Sequence, residues 1–154
     1  MTLTCSDYTI GWICALPLEM AAAKAALDEL HPRLPVSPND HNIYTLGAIK
    51  GHNITIACLP SGIYGTTSAG IVASHLTTTF AALRFTLMVG IAGGVPHTRT
   101  ADIRLGDIVV SKPTGTTGGV IQYDYGKTLT SGRFQRTGCL NKPPGGTISR
   151  ASDT

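Results

Sequence analysis

Tyr8-Thr-Ile-Gly-Trp-Ile-Cys-Ala-Leu-Pro-Leu-Glu-Met-Ala-Ala-Ala-Lys-Ala-Ala-Leu-Asp-Glu-Leu30 is the stretch on which the fold turns. Its first seven residues, Tyr8 to Cys14, are short, apolar and rich in β-formers, and predict a buried strand. Pro17 then suits the first turn of a helix, where a missing N–H leaves nothing unsatisfied. Leu18 to Leu30 consists almost wholly of strong helix formers. His31-Pro32 closes that helix, because the residue before a proline is pushed out of the α region. A strand running directly into a helix opens an α/β layered fold.

Working outward, the residues from His31 to Asn42 are rich in Pro, Asn and Asp and read as a loop. Ile43 to Ile49 and Asn53 to Leu59 are two β-type runs around Lys50-Gly51-His52, a hairpin signal. Pro60 to Gly65 is a turn, and Thr66 to Phe80 places Ala69, Val72, Ala73, Leu76 and Phe80 near helical spacing. Arg84 to Ile91 is apolar apart from Arg84 and Thr86, which predicts a strand covered on both faces in a parallel sheet. Leu105-Gly106-Asp107 turns into a further strand at Ile108 to Ser111, and Val120 to Tyr125 is one more strand candidate. The expected fold is three-layer αβα around a central mixed sheet. From Gly126 the pattern decays, and the breaker-rich stretch from Asn141 predicts an unstructured tail.

Composition removes several function classes. The chain has 154 residues, 42% of them hydrophobic and 14% charged, which describes a globular interior. Its longest apolar runs fall short of the ~20 residues that cross a bilayer, so no membrane partner is expected. Asp7 and Tyr8 interrupt the position of a secretory apolar region, and the default address is cytoplasmic. A net charge of +3 gives no case for a nucleic-acid partner. The acid-free run of Lys127, Arg133, Arg136, Lys142 and Arg150 reads as a solvated surface. Cys5, Cys14, Cys58 and Cys139 are dispersed, and no cofactor or metal is expected.

Chemistry concentrates after the strands, where ligands of open α/β sheets bind. Two glycine turns stand there, Ser61-Gly62-Ile63 and Gly90-Ile91-Ala92-Gly93, and neither carries a dinucleotide or phosphate-loop fingerprint. Each is open to a purely structural or a ligand-lining reading. Glu19, in the first helical turn, either complements the helix dipole or serves as a carboxylate that orients or deprotonates a water. Asp107 reads as a turn residue and Asp102 with Arg104 as a surface pair. His31, His41, His52, His75 and His97 form no triad or metal spacing.

Several segments, taken in order, resemble the nucleoside phosphorylase/nucleosidase superfamily of the purine nucleoside phosphorylase, uridine phosphorylase and methylthioadenosine nucleosidase type. They are Tyr8 to Met20, Asn39 to Asn42, Cys58 to Thr67, Leu87 to Val95, Asp102 to Ser111, Gln122 to Gly126 and Leu140 to Pro144. The resemblance is to the version at the N-terminus of fungal receptor-like proteins, and it covers the chain to about residue 144. It implies cleavage of the N-glycosidic bond of a nucleoside or nucleotide, purine above all, through an oxocarbenium-like transition state. It further implies a nucleoside or nucleotide as partner, phosphate as a second one in phosphorolytic members, and assembly as a homo-oligomer. Glu19 falls where the nucleosidases place the acid that handles the attacking water. Leu16 and Ile63 look like sugar contacts, and Ala92 and Gly93 like the backbone beside the base. Met88 and Ile91 stand where phosphorylases carry their phosphate-holding arginine and hydroxyl, which favours water as nucleophile. Nothing from Gly126 to Thr154 resembles the half that grips ribose and protonates the leaving base. The expectation is therefore the front portion of such a domain at residues 1–144 and a tail at 145–154, active only with that half supplied, or else an inactive remnant that binds nucleoside or associates with family members.

Overall fold

The computed structural model describes residues 2–96 and 102–139, and the chain divides between Gly93 and Gly94 into two compact units. The expected tail at 145–154 lies outside the described residues, as does His97.

In the first unit the opening strand, β1, spans Ile10–Cys14 and runs into helix α1, Pro17–Ala25. The helix ends five residues earlier than its composition suggests. At Ala26 the helical bonding stops, the Asp28 N–H donates to the Ala48 carbonyl at 2.9 Å, and the Lys50 N–H donates to the Asp28 carboxylate at 2.7 Å. Glu29–His31 then forms strand β2 against strand β3, Tyr44–Ile49, with Leu30 opposite Gly47. Helix propensity loses here to a sheet edge that needs a partner and to Leu27, which packs on the helix side of the core. Gly47 admits this approach, because a Cβ there would meet a Leu27 methyl at 2.7 Å.

Strand β4, His52–Cys58, completes the expected hairpin with β3. Its two-residue turn has Lys50 at φ 49° and Gly51 at φ 78°. Positive φ at both central residues is what a type I′ turn requires. Helix α2, Thr66–Thr79, follows as the spacing predicts, and strand β5, Phe85–Met88, closes the sheet in the order β2-β3-β4-β1-β5. β1 is parallel to both its neighbours, β4 and β5.

Alternate residues of the central strands face opposite layers. Ile13, Ala57, Tyr44 and Leu46 pack with Val72, Leu76 and Phe80 on the α2 side. Cys14, Ile54 and Ile56 pack with Ala23 and Met20 on the α1 side. The unit is therefore α/β in three layers around a mixed sheet, as the sequence predicts. One detail differs: β5 is an edge strand with Leu87 and Met88 exposed, not a strand covered on both faces.

The second unit departs further from expectation. Ile108 to Ser111 is not a strand, and Ile108, Val109 and Val110 are exposed. Val120 to Tyr125 is likewise irregular. β-propensity without a face to pack on does not make a strand. The regular structure lies where the pattern decays: strands β6, Gly126–Thr128, and β7, Phe134–Arg136, form an antiparallel hairpin.

Candidate functional site

The chain leaves β1 through α1 toward β2, β3 and β4 on one side, and returns from β4 through α2 to β5 on the other. In open α/β sheets such a reversal leaves a crevice outside the carboxyl ends of the strands. Three connections gather at that edge: Ala15 to Glu19 after β1, Leu59 to Gly65 after β4, and Val89 to Gly93 after β5.

Glu19 is the third residue of α1 and is only 8% exposed. Its Oε2 accepts the N–H groups of Ala15 at 2.8 Å and Leu16 at 2.9 Å, capping the two residues that lead into the helix. Its Oε1 reaches across to the post-β5 turn and accepts the Ile91 N–H at 2.8 Å. The Ile91 bond foremost, joined by those from Leu16 and Ala15, outweighs burial and holds the carboxyl below the ordinary glutamate range. Gly90 makes the reach possible. A Cβ there would stand 2.7 Å from the Glu19 carboxyl carbon and 2.8 Å from Oε2.

Leu16, Glu19, Gly90 and Ile91 are thus brought together by direct contact. Ser61, Gly62 and Ile63 lie on the same edge in their own exposed turn, where Gly62 has φ 80° and the Ile63 N–H donates to the Pro60 carbonyl at 3.1 Å. Among the described residues no hydrogen bond joins that turn to Glu19. Ala92 and Gly93 are exposed beyond Ile91. Beneath the carboxylate, Cys14 and Cys58 are register partners on β1 and β4. Burial, with Cys58 and Glu19 nearby, pushes the Cys14 thiol up to about 11, so it stays protonated at neutral pH.

An ionised carboxylate held by three N–H groups is a weak base, but among the described residues Oε1 accepts one N–H, from Ile91, which leaves it acceptor capacity for a water or hydroxyl. The edge can orient a polar ligand and stabilise positive charge that develops beside it. Among the described residues no three His, Cys, Asp or Glu side chains converge as a metal site.

Sequence reasoning missed a second buried carboxylate. Asp40 Oδ2 accepts the hydroxyls of Tyr44, at 2.7 Å, and of Thr79. Its Oδ1 accepts the Asn42 N–H at 2.9 Å and stands 3.6 Å from His75 Nδ1. Burial pushes this carboxyl up, yet the bonds from Thr79, Asn42 and Tyr44, with His75 alongside, leave it lowered. The Asn42 amide also donates to the Val72 carbonyl at 2.9 Å, so the network ties the loop before β3 to α2. In the sequence only the polar run Asn39 to Asn42 hints at it. In the second unit Asp107 accepts the Arg104 N–H at 2.9 Å and Arg104 Nε donates to Asp102 at 3.0 Å, the turn and surface pair expected.

The fold and this edge define an α/β domain with a capped carboxylate at the mouth of its parallel strands. The chain is similar to a nucleotide-binding leucine-rich repeat (NLR)-like protein of the fungus Hyaloscypha variabilis, with 54% identity over 144 residues. That alignment takes in 93% of this chain and 14% of the relative, so the chain spans a small part of that protein's length. No family model and no solved structure matches the chain. Among the described residues no helix is long and apolar enough to cross a membrane.

Proposed function

We propose that the chain is a nucleoside phosphorylase/nucleosidase-type domain that acts in nucleoside metabolism by cleaving the N-glycosidic bond of a purine nucleoside or nucleotide. The observation that carries this reading is Glu19: an ionised carboxylate at the switch point of the sheet, bridging the start of α1 and the turn after β5. The sugar would lie against Leu16 and Ile63, and the base along the backbone of Ala92 and Gly93. The free acceptor capacity of Oε1 orients the attacking water, and the negative charge stabilises the oxocarbenium-like transition state. Water is preferred to phosphate, because Met88 and Ile91 bring no charge or hydroxyl to the turn. The likeness to an NLR-like protein supports the receptor-associated version of the superfamily, and a cytoplasmic address belongs to the same reading.

Base release settles the matter. Purified chain is incubated with adenosine, inosine, guanosine, uridine and ATP, with and without phosphate, and free base is separated by chromatography. Release that is indifferent to phosphate and falls ~10²-fold or more in Glu19→Gln is the expected result. No release from a folded chain, nor from a longer product containing it, overturns catalysis.

A second reading rests on the same bonds: three N–H groups on Glu19 also suit a structural staple in a domain that binds nucleoside without cleaving it, or associates through the open outer edge of β5. A stable monomer by ultracentrifugation that gives no heat with any nucleoside excludes it.

A further inference from the structure

A cavity of about 250 Å³ opens on the α2 side of the sheet, and it shares no residue with the Glu19 edge. Its floor is Leu46, Tyr44 and Phe80, all buried, and its sides include Leu34 and Ile43, of which Ile43 is 68% exposed. The Tyr44 hydroxyl is committed to Asp40 and Asn42, and Asp40, not itself part of the wall, is held by its own donors. The wall is therefore mostly apolar, with Asn42, whose amide N–H groups go to the Tyr44 hydroxyl and the Val72 carbonyl, as its further polar side chain. One cation lines it: Arg33, exposed and with no hydrogen bond or ion pair among the described residues.

We propose that this cavity binds a small aliphatic monocarboxylate, its chain on Leu46 and Phe80 and its head on the Arg33 guanidinium. An apolar cleft with one unpaired planar cation at its wall matches a ligand that is apolar along its length and anionic at one end. A volume slightly below the ~300 Å³ at which drug-sized sites begin sets the scale to a medium-length chain rather than a ring system with substituents. The exposed Ile43 supplies apolar rim that such a chain covers.

The test is titration of the full chain, by NMR or calorimetry, with octanoate, hexanoate, octan-1-ol and octylamine. Octanoate binds, the alcohol is about tenfold weaker and the amine weaker still, as expected when a charge-assisted pair is lost. Hexanoate loses about fourfold for each methylene removed. Arg33→Gln, at an exposed position, brings octanoate to the level of the alcohol with an unchanged circular dichroism spectrum. Ile43→Gln weakens all chain-bearing probes alike. Equal binding of acid, alcohol and amine, indifference to Arg33→Gln, shifts that map away from Leu46 and Ile43, or no binding to the folded chain each overturns the proposal.

Discussion

Ile10 to Cys14 and Ile108 to Ser111 carry nearly the same signal, a short run of β-formers after a turn, yet only the first is a strand. Ile13 and Cys14 are buried between two helices and two flanking strands, whereas Ile108 is 91% exposed and Val109 73%. The contrast teaches that β-propensity in this chain is a preference for a half-built surface. Where β4 and β5 stand on either side and α1 and α2 cover the faces, the run pairs. In the second unit the same kind of run is exposed and, among the described residues, stays irregular.

One truncation in each unit measures the difference. Ile56→Ala, in the centre of β4 and fully buried, is expected to destabilise by about 2–5 kcal/mol in urea unfolding. Val109→Ala is expected to stay within about 0.5 kcal/mol. Equal effects would mean that residues 108–111 are packed in solution. A finer probe is the pair of glycines after β5. Gly90→Ala forces its methyl onto the Glu19 carboxylate and is expected to lose about 1–3 kcal/mol, while Gly93→Ala points into open space and changes little. Adding Glu19→Ala should recover part of the Gly90→Ala loss, because the clashing partner is gone. The smallest effect concerns charge. Glu19→Gln is expected to destabilise by about 1 kcal/mol at pH 7. Because the folded carboxyl titrates below its ordinary value of 4.5, its contribution is full at neutral pH and drains away as pH falls through that value and on through the lowered folded one. The gap between wild type and variant should therefore close in acid, and a gap that widens there would deny that Glu19 is held ionised.

Much of the first unit is legible from local rules. The hairpin is legible because Lys50-Gly51 can supply two positive φ angles, and α2 because Val72, Leu76 and Phe80 keep helical spacing. The end of α1 is not legible, since Leu27 to Leu30 favour a helix and are overruled by a sheet edge formed by residues 44–49. The position of β5 at the edge is equally hidden: apolarity reports the residues, not how many neighbours they find. At the candidate site, the placement of Glu19 in the first helical turn is visible in the sequence. Its bond to Ile91 and the demand this makes on Gly90 are not, because they come from a residue 72 positions away. The Asp40 network shows in the sequence only as the polar run Asn39 to Asn42, because Thr79 and His75 arrive from another element.

That separation of 72 residues has a kinetic side. A bond of that span, at the end of the β1–β5 pairing, is expected to close late in folding, because the entropy of bringing two distant segments together must be met first. A contact formed that late contributes little to the speed of folding and much to the slowness of opening. Glu19→Gln is accordingly expected to speed unfolding more than it slows folding, as chevron kinetics on the two proteins would show, and Glu19 would then be a latch on how long the domain stays closed rather than on how quickly it assembles.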